Sequence, residues 1–293
     1  MMNTLTSVVK RHPIITFFAL AYTFSWLPWV LGTLAPASRP FVLYPFFAAG
    51  QLLAALIVIP ITQGRAGLRA WAARLLKWRV SPIWYAAAIG IPLTALLGAV
   101  ALNVALGAPS RSLVDILGAN GDAREFNGML GIGPVLSLVL VFAIRLINPS
   151  DGPVGEEPGW RGFALPGLQR SVSPLSAGLI VGLLAAAWHL PIFLVGGASP
   201  LEILAPFGLG VVSSWLYNRS GGSTFLSIVL HAADGVFQIG SFGFAGADAE
   251  RMVLLYVGLW LAMALGVVLV YGSNLGRQPD AQAEMQIAPV VTG

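Results

Sequence analysis

Long runs of apolar residues, separated by short polar clusters, follow one another along the whole chain. Eight stretches cover roughly 13 to 36, 41 to 62, 82 to 106, 129 to 148, 175 to 195, 203 to 218, 222 to 242 and 252 to 272. A helix that crosses the hydrocarbon core of a membrane needs about 20 mostly apolar residues. The pattern therefore predicts an all-α protein, a polytopic helical bundle with about eight transmembrane helices. The stretches at 129 to 148 and 203 to 218 fit least well, because the first contains Arg145 and the second is short.

The composition of the 293 residues excludes a water-soluble globule. Hydrophobic residues make up 57% of the chain, charged residues 10%, and the mean hydropathy is +0.81. A typical soluble domain has about 25% charged residues. The chain has no cysteine, which excludes disulfides, zinc–thiolate sites and a cysteine nucleophile. We expect one integral-membrane domain over residues 1–272, with a motif-bearing core at about 132–242, and a disordered polar tail at 273–293.

Basic residues predict how the chain is oriented. Lys10 and Arg11 precede the first apolar run, as in a signal peptide, but that run is too long for one and is interpreted as the first span. The connection between the second and third stretches holds five basic residues and no acid: Arg65, Arg69, Arg74, Lys77 and Arg79. Such loops are cytoplasmic. With an even number of spans, both termini are expected in the cytoplasm, with the bundle in a bacterial inner (plasma) membrane.

Apolar residues of the same basic connection recur at helical spacing. Leu68, Trp71, Leu75 and Trp78 alternate with the cations. This spacing predicts an interfacial helix whose cations lie among anionic head groups and whose aromatic residues anchor it in the membrane surface.

Four ionisable residues lie in or beside apolar stretches. They are His189, His231 and the adjacent Glu156 and Glu157. Because ionisable groups are costly in a membrane, such residues indicate function by default. The alternative for each histidine is a packed side chain bonded to a carbonyl of a neighbouring helix. The alternative for the glutamates is a solvated position at the membrane interface.

The spacing of these residues suggests separate roles. Glu157 and Arg161 are four residues apart, the favourable order for an ion pair on a helix. Glu156 has no such partner, which suits a general base. Asp234 follows His231 by three residues, so it could orient the imidazole or bind substrate. Two histidines and one carboxylate are also a catalytic zinc ligand set.

Together these residues resemble the CAAX-protease and bacteriocin-processing (CPBP) family of intramembrane peptidases, also called the ABI family. Glu156, Glu157 and Arg161 match its Glu-Glu-x-x-x-Arg motif. His189 matches the histidine of its Phe-x-x-x-His motif, and His231 matches the histidine of a third motif. The resemblance covers roughly residues 132 to 242.

The chain departs from the family pattern at two positions. Ala185 stands where the second motif has phenylalanine, and Gly235 stands where the third motif has Asn or Asp, four residues after His231. Asp234 is one residue early, but it lies on the same helical face and could replace the missing group.

The resemblance implies a helical membrane protease whose polar site opens within the bilayer, similar to CAAX prenyl proteases. Glu156 would activate water, while His189 and His231 would stabilise the oxyanion or bind a metal. Glu157 and Arg161 would support them. No cofactor is certain; a divalent metal such as zinc, held by Glu156, His189 and His231, is left open. The expected partners are a peptide or protein substrate, reached from the membrane or the cytoplasmic side, and membrane lipid, but no nucleic acid.

Two other readings use the same residues. One is a transporter or a binding and immunity scaffold, although no inverted repeat is present in the sequence. The other is a family member without catalysis, suggested by the altered third motif. Other intramembrane protease designs are excluded, because His-Glu-x-x-His, Gly-x-Ser-Gly and Gly-x-Gly-Asp do not occur. Arg145 either reaches the cytoplasmic interface or pairs with Asp151.

Overall fold

The computed structural model describes residues 2–34, 47–194, 199–237 and 243–278, and these residues form helices and turns without a strand. The α-helices, in chain order, are α1 (Met2–Arg11), α2 (Pro13–Leu34), α3 (Gly50–Leu75), α4 (Pro82–Ala105), α5 (Leu113–Leu117), α6 (Gly121–Leu130), α7 (Pro134–Arg145), α8 (Gly152–Gly159), α9 (Leu165–Leu168), α10 (Pro174–Trp188), α11 (Leu190–Leu194), α12 (Ala205–Arg219), α13 (Thr224–Val236) and α14 (Gly246–Tyr271). A π-helical segment covers Trp160–Ala164, and 3₁₀ turns cover Pro200–Leu204 and Gly272–Asn274. The predicted all-α class is confirmed.

Each of the eight predicted apolar stretches contains a helix, but not every helix is long enough to cross a membrane. Among the described residues, five spans pass by length and composition: α2, α3, α4, α14 and Pro174–Leu194, which joins α10 and α11. Helices α6 and α7 together make a sixth that is bent by 114°. Helices α12 and α13 have only 15 and 13 residues. The described residues therefore contain fewer full-length spans than the eight predicted. Helices α12 and α13 are packed mostly against protein, where a helix of bilayer length is not required.

The outer surface of the described helices is strongly apolar. Large side chains such as Leu34, Leu183, Leu265 and Leu269 are exposed. An apolar surface of this extent fits lipid rather than water. The protein is therefore an integral membrane protein.

Two clusters of buried side chains hold the bundle together. One joins α2, α3, α10 and the π-helical segment, and includes Phe17, Val58, Trp71, Trp160 and Trp188. The other joins α4, α12, α13 and α14, and includes Leu96, Leu216, Leu230, Met252 and Trp260. Helix α8 contacts both α3 and α13, so it lies between the two clusters. This position places the glutamate motif inside the protein rather than at its surface.

Helix α3 continues from the second apolar stretch into the basic connection. It bends at Gly64, whose φ of 63° lies in the left-handed region that glycine adopts without strain. The predicted helix is present here, and its interfacial environment stays a prediction: Arg65, Arg69 and Trp78 are exposed. Trp71 is buried, and its Nε1 donates a hydrogen bond to the carbonyl of Pro158 at 2.9 Å. Arg74 likewise donates to the carbonyl of Gly162 at 3.0 Å. This turn of α3 therefore supports the glutamate motif.

The first residues of the predicted tail pack against the bundle. Leu275 is fully buried, and Arg277 donates to the carbonyl of Gln169 at 2.9 Å. The rest of the predicted tail, 279–293, lies outside the described residues, and its disorder stays a prediction.

Candidate active site

The glutamate motif begins on a capped helix that ends in a π-helical segment. Asp151 is the N-cap of α8, and its Oδ1 accepts a hydrogen bond from the backbone N–H of Gly152 at 2.8 Å. Pro153 stands in the first turn, where the missing N–H of proline costs nothing. After the helix, the N–H of Leu165 donates to the carbonyl of Trp160, five residues earlier. Such π-helical turns occur frequently at functional sites.

Two glycines let α8 lie directly on the start of α3. A Cβ atom at Gly155 would be 2.7 Å from the carbonyl carbon of Ala48, and one at Gly159 would be 2.6 Å from the Cβ of Gln51. Both distances are too short for any side chain. Small residues spaced in this way allow helix backbones to approach closely in membranes, and here they fix the depth of the two glutamates.

Glu157 joins two helices through one oxygen. Its Oε1 accepts from Arg161 Nη1 at 2.8 Å and from His231 Nδ1 at 2.9 Å. The predicted pair between Glu157 and Arg161 is confirmed. Because Nδ1 of His231 donates to this carboxylate, Nε2 is the ring nitrogen that remains available. Glu157 therefore orients the imidazole of α13.

Glu156 and His231 face one common point. The Oε2 of Glu156 accepts from Trp160 Nε1 at 3.1 Å, and this bond leaves Oε1 for other contacts. A Cβ atom at Gly152 would lie 3.0 Å from Glu156 Oε1 and 3.1 Å from His231 Nε2. The absence of a side chain at Gly152 thus leaves a space that both atoms can reach with a hydrogen bond. A water held there would contact a carboxylate and an imidazole together.

His189 lies at the break between α10 and α11. Its Nδ1–H donates to the carbonyl of Ala185 at 2.7 Å, so Nε2 carries the lone pair in the neutral ring. The ring packs edge-on against Trp188, with centroids 4.7 Å apart, and Trp188 packs edge-on against Trp160 at 6.5 Å. Within the described residues, no hydrogen bond joins His189 to Glu156 or His231. The structure brings it to the same aromatic cluster but not into direct contact with them.

Asp234 has a different partner from the expected one. Its Oδ1 accepts from the hydroxyl of Tyr256 at 2.6 Å, which joins α13 to α14. The imidazole of His231 is bonded to Glu157 instead. Burial raises the pKa of the Glu202 carboxyl. The hydrogen bond from the N–H of Ser199 lowers this pKa, and the nearby charge of Asp234 raises it further. Binding of substrate by Asp234 stays a prediction.

A three-ligand metal site is not formed by the side chains as they stand. Within the described part of the chain, no group of three His, Asp or Glu residues is close enough to hold a metal ion. The hypothesis that Glu156, His189 and His231 bind zinc therefore stays a prediction.

The structure adds residues that the motif spacing does not indicate. Trp160 holds Glu156, Trp71 holds the backbone of α8, and Gly152 leaves the space at the site. Arg145 forms an ion pair with Asp151 at 3.3 Å, which confirms one of its two predicted roles. A helical periodicity could have placed Trp160 beside Glu156, four residues earlier, but no local pattern indicates the contact of Trp71 or Gly152.

The comparison with known proteins points to the same residues. Residues 124–237 match the sequence profile of a family described as Type II CAAX prenyl endopeptidase Rce1-like. A curated relative, CAAX prenyl protease 2 of Methanococcus maripaludis, is 28% identical over 110 residues, which are 33% of this chain and 37% of the relative. The chain thus spans well under half the length of that relative. Both similarities support the resemblance that the motifs indicate, and the matched profile covers the segment that carries Glu156, His189 and His231.

Proposed function

We propose that the protein is an intramembrane endopeptidase in which Glu156 activates a water molecule for attack on a peptide bond. The observation that carries this proposal is the position of Glu156 Oε1 and His231 Nε2 around one point above Gly152. Hydrolysis needs a base for the water and a donor for the developing oxyanion. A carboxylate and an imidazole on opposite sides of one small space supply both.

The reaction follows from these two groups. Glu156 takes a proton from the water, whose oxygen bonds to the carbonyl carbon, and the carbonyl electron pair moves to the oxygen. His231 donates from Nε2 to that oxyanion, while Glu157 stabilises the charged ring through Nδ1. When the C–N bond breaks, the proton on Glu156 goes to the leaving nitrogen. His189 is proposed to polarise or position the substrate through its free Nε2.

Several contacts restrict the rotation of the Glu156 side chain. Glu156 is buried, its Oε2 is bonded to Trp160, and the backbone of the same helix is fixed by Trp71 and by the close contact at Gly159. A positioned base contributes about 10²- to 10⁴-fold to a rate. Fixing its geometry before substrate arrives is what makes such a contribution accessible.

The substrate class is proposed from the relatives. The matched family and the relative are named as prenyl proteases of CAAX sequences, in which a lipid-modified cysteine precedes the last three residues. A site enclosed by membrane helices is suited to a substrate whose anchor lies in the bilayer. We propose cleavage of such a lipid-anchored peptide in a bacterial inner membrane, with both termini of the protease in the cytoplasm.

The test uses the full chain reconstituted in phospholipid vesicles. A farnesylated peptide that ends in a CAAX sequence is added, and release of its last three residues is measured. Glu156→Gln is expected to abolish release while the melting temperature in detergent stays within a few degrees of the wild type. Glu250→Gln, an exposed acid on α14, is the matched control and should keep the full rate. Cleavage that survives Glu156→Gln would show that the base is another group.

Metal binding is a separate proposal with its own readout. If Glu156, His189 and His231 bind zinc, the purified protein should contain about one zinc ion per chain, and His189→Ala should lose it, because catalytic zinc sites use three protein ligands. Zinc content that is negligible in the wild type, or unchanged in His189→Ala, would contradict the ligand set.

A further inference from the structure

Arg145 reaches the active site from outside the three motifs. It is the last residue of α7, and its Nη2 lies 3.3 Å from Asp151 Oδ1. Asp151 is the N-cap of α8, so this ion pair holds the guanidinium at the start of the helix that carries the glutamates. The next residue is Gly152, which leaves the space between Glu156 and His231.

The same guanidinium occupies the place of a side chain on α13. A Cβ atom at Gly235 would lie 2.6 Å from Arg145 Cζ and 2.9 Å from Arg145 Nε, closer than any real contact. Gly235 is one helical turn after His231, on the same face of α13. Arg145 therefore lies between α8 and α13, the two helices that supply Glu156 and His231. Any residue larger than glycine at position 235 would have to displace it.

The ion pair with Asp151 does not use all of the N–H donors of Arg145. Its side chain is only 14% exposed, and its buried Nε has no hydrogen-bond partner in the part of the chain that the structure describes. A guanidinium has five N–H donors, and the ion pair with Asp151 involves Nη2. The donors that the ion pair does not use leave this cation able to donate a hydrogen bond to an oxygen that enters the site.

We propose that Arg145 is a catalytic residue that donates a hydrogen bond to the oxyanion during peptide hydrolysis, an inference that rests on the proposed function. When a water above Gly152 attacks the carbonyl carbon, the negative charge develops on the carbonyl oxygen, and we place that oxygen beside this guanidinium. The two glutamates add negative charge to the site, and Arg161 neutralises only Glu157. Arg145, which is paired with Asp151 through Nη2, places a second guanidinium at the site. Its position over Gly235 also fills the place of the Asn or Asp that the third motif lacks here.

The experiment is a double-mutant cycle on farnesylated CAAX peptide cleavage in vesicles. Arg145→Ala should lower kcat by about 10²- to 10³-fold, the usual loss for one oxyanion donor, with KM changed less than about threefold. Gly235→Ala should lower kcat at least about tenfold by displacing the guanidinium, and should have no further effect in the Arg145→Ala background. The controls are Gly90→Ala, a helical glycine with open space around it, and Arg124→Ala, an exposed cation; both should keep the wild-type rate.

Further variants separate the readings. Arg145→Ala combined with Gly235→Asn should recover at least about tenfold of the lost kcat, because the new amide enters the vacated space and supplies a donor. Arg145→Lys keeps a cation for Asp151 but loses the planar fork, so it should be folded and still slow. It replaces Arg145→Ala in the cycle if the alanine variant does not fold. A merely structural role predicts no recovery of kcat by asparagine, whereas the coupling between positions 145 and 235 is expected in either case because the two residues are in contact.

Each outcome has a distinct meaning. Full activity of Arg145→Ala, with Glu156→Gln inactive, overturns the role of Arg145 and leaves the proposed function standing. A rise in KM that is confined to peptides with a free carboxylate terminus, and absent for amidated ones, assigns Arg145 to substrate binding and overturns the oxyanion role. A wild type that releases no product overturns the proposed function and this inference with it.

Discussion

The Nδ1 atom of His231 lies 2.9 Å from the Oε1 atom of Glu157, on a helix 74 residues away in the chain. The second glutamate of the motif is thus the acid that orients the histidine, while the first faces the open space. The two adjacent carboxylates have different environments: Glu157 is bonded to Arg161 and His231, whereas Glu156, within the described residues, is bonded to Trp160 through one oxygen. The contact between Glu157 and the His231 Nδ1 atom resembles the acid–imidazole pair of serine hydrolases.

Glu157→Gln should be far more damaging to catalysis than Asp234→Asn. The first change removes the charge that stabilises the imidazolium of His231; a neutral amide in the equivalent place of a catalytic triad lowers kcat by about 10⁴-fold. We expect a loss of at least about 10²-fold here. Asp234→Asn alters a contact with Tyr256 and should cost less than about tenfold. Both rates are measured by peptide cleavage in vesicles, and the reverse order would assign the imidazole to Asp234.

Arg161→Met should destabilise the protein strongly. Glu157 is 1% exposed, and among the described residues its Oε2 has no hydrogen-bond partner, so loss of Arg161 leaves a buried carboxylate bonded to His231 alone in this part of the chain. Breaking a buried pair in this way costs about 3–5 kcal/mol. Unfolding in detergent should show this loss, and the double variant Arg161→Met/Glu157→Leu should recover part of it. Arg124→Met, at an exposed position, should change stability by about 0.5 kcal/mol or less. Equal stability of Arg161→Met and Arg124→Met would show that Glu157 is not held as an ion.

Gly152→Ala should remove activity without unfolding the protein. The new methyl group would lie 3.0 Å from Glu156 Oε1 and 3.1 Å from His231 Nε2, in the space proposed for the water. A fall in kcat of at least about tenfold is expected, since removal of general-base catalysis costs about 10²-fold or more. Gly121→Ala is the matched control, because Gly121 is also the first residue of its helix and has open space around it. Unchanged kcat in Gly152→Ala would place the reacting water elsewhere.

Local spacing predicted the contacts within one helix but not those between helices. The pair of Glu157 with Arg161 follows from a separation of four residues. The partner of His231 did not follow, because Asp234 shares its helical face while Glu157 comes from a distant segment. Trp71 shows the same limit: its helical period was evident, but an apolar position facing lipid and one facing protein have the same pattern. The number of full-length spans was overestimated for that reason.

Stability should depend on pH through Glu202. Burial raises the pKa of this carboxyl above its ordinary value of 4.5, so the folded state binds its proton more tightly than the unfolded state. The corresponding stability is present below about pH 4.5 and is lost as pH rises through the raised pKa. Glu202→Gln should therefore gain melting temperature relative to the wild type above that range and not below it. Glu250→Gln, at an exposed position, should show no such difference. A constant offset for Glu202→Gln at all pH values would contradict the assignment.

Trp160→Phe tests whether the base must be held. The indole N–H is the donor that fixes Glu156 Oε2 at 3.1 Å, and the ring is buried against Phe18 and Trp188. Phenylalanine keeps an aromatic ring there but leaves the carboxylate free to rotate about its broad terminal torsion. A hydrogen bond to a charged group contributes about 1.5–3 kcal/mol, which corresponds to roughly a 10- to 150-fold lower kcat. Trp78→Phe, at an exposed tryptophan, should leave kcat unchanged. An unchanged kcat in Trp160→Phe would show that the hydrogen bond from Trp160 is not needed to position Glu156. The close contact at Gly159 would then position it, and Gly159→Ala should reduce kcat.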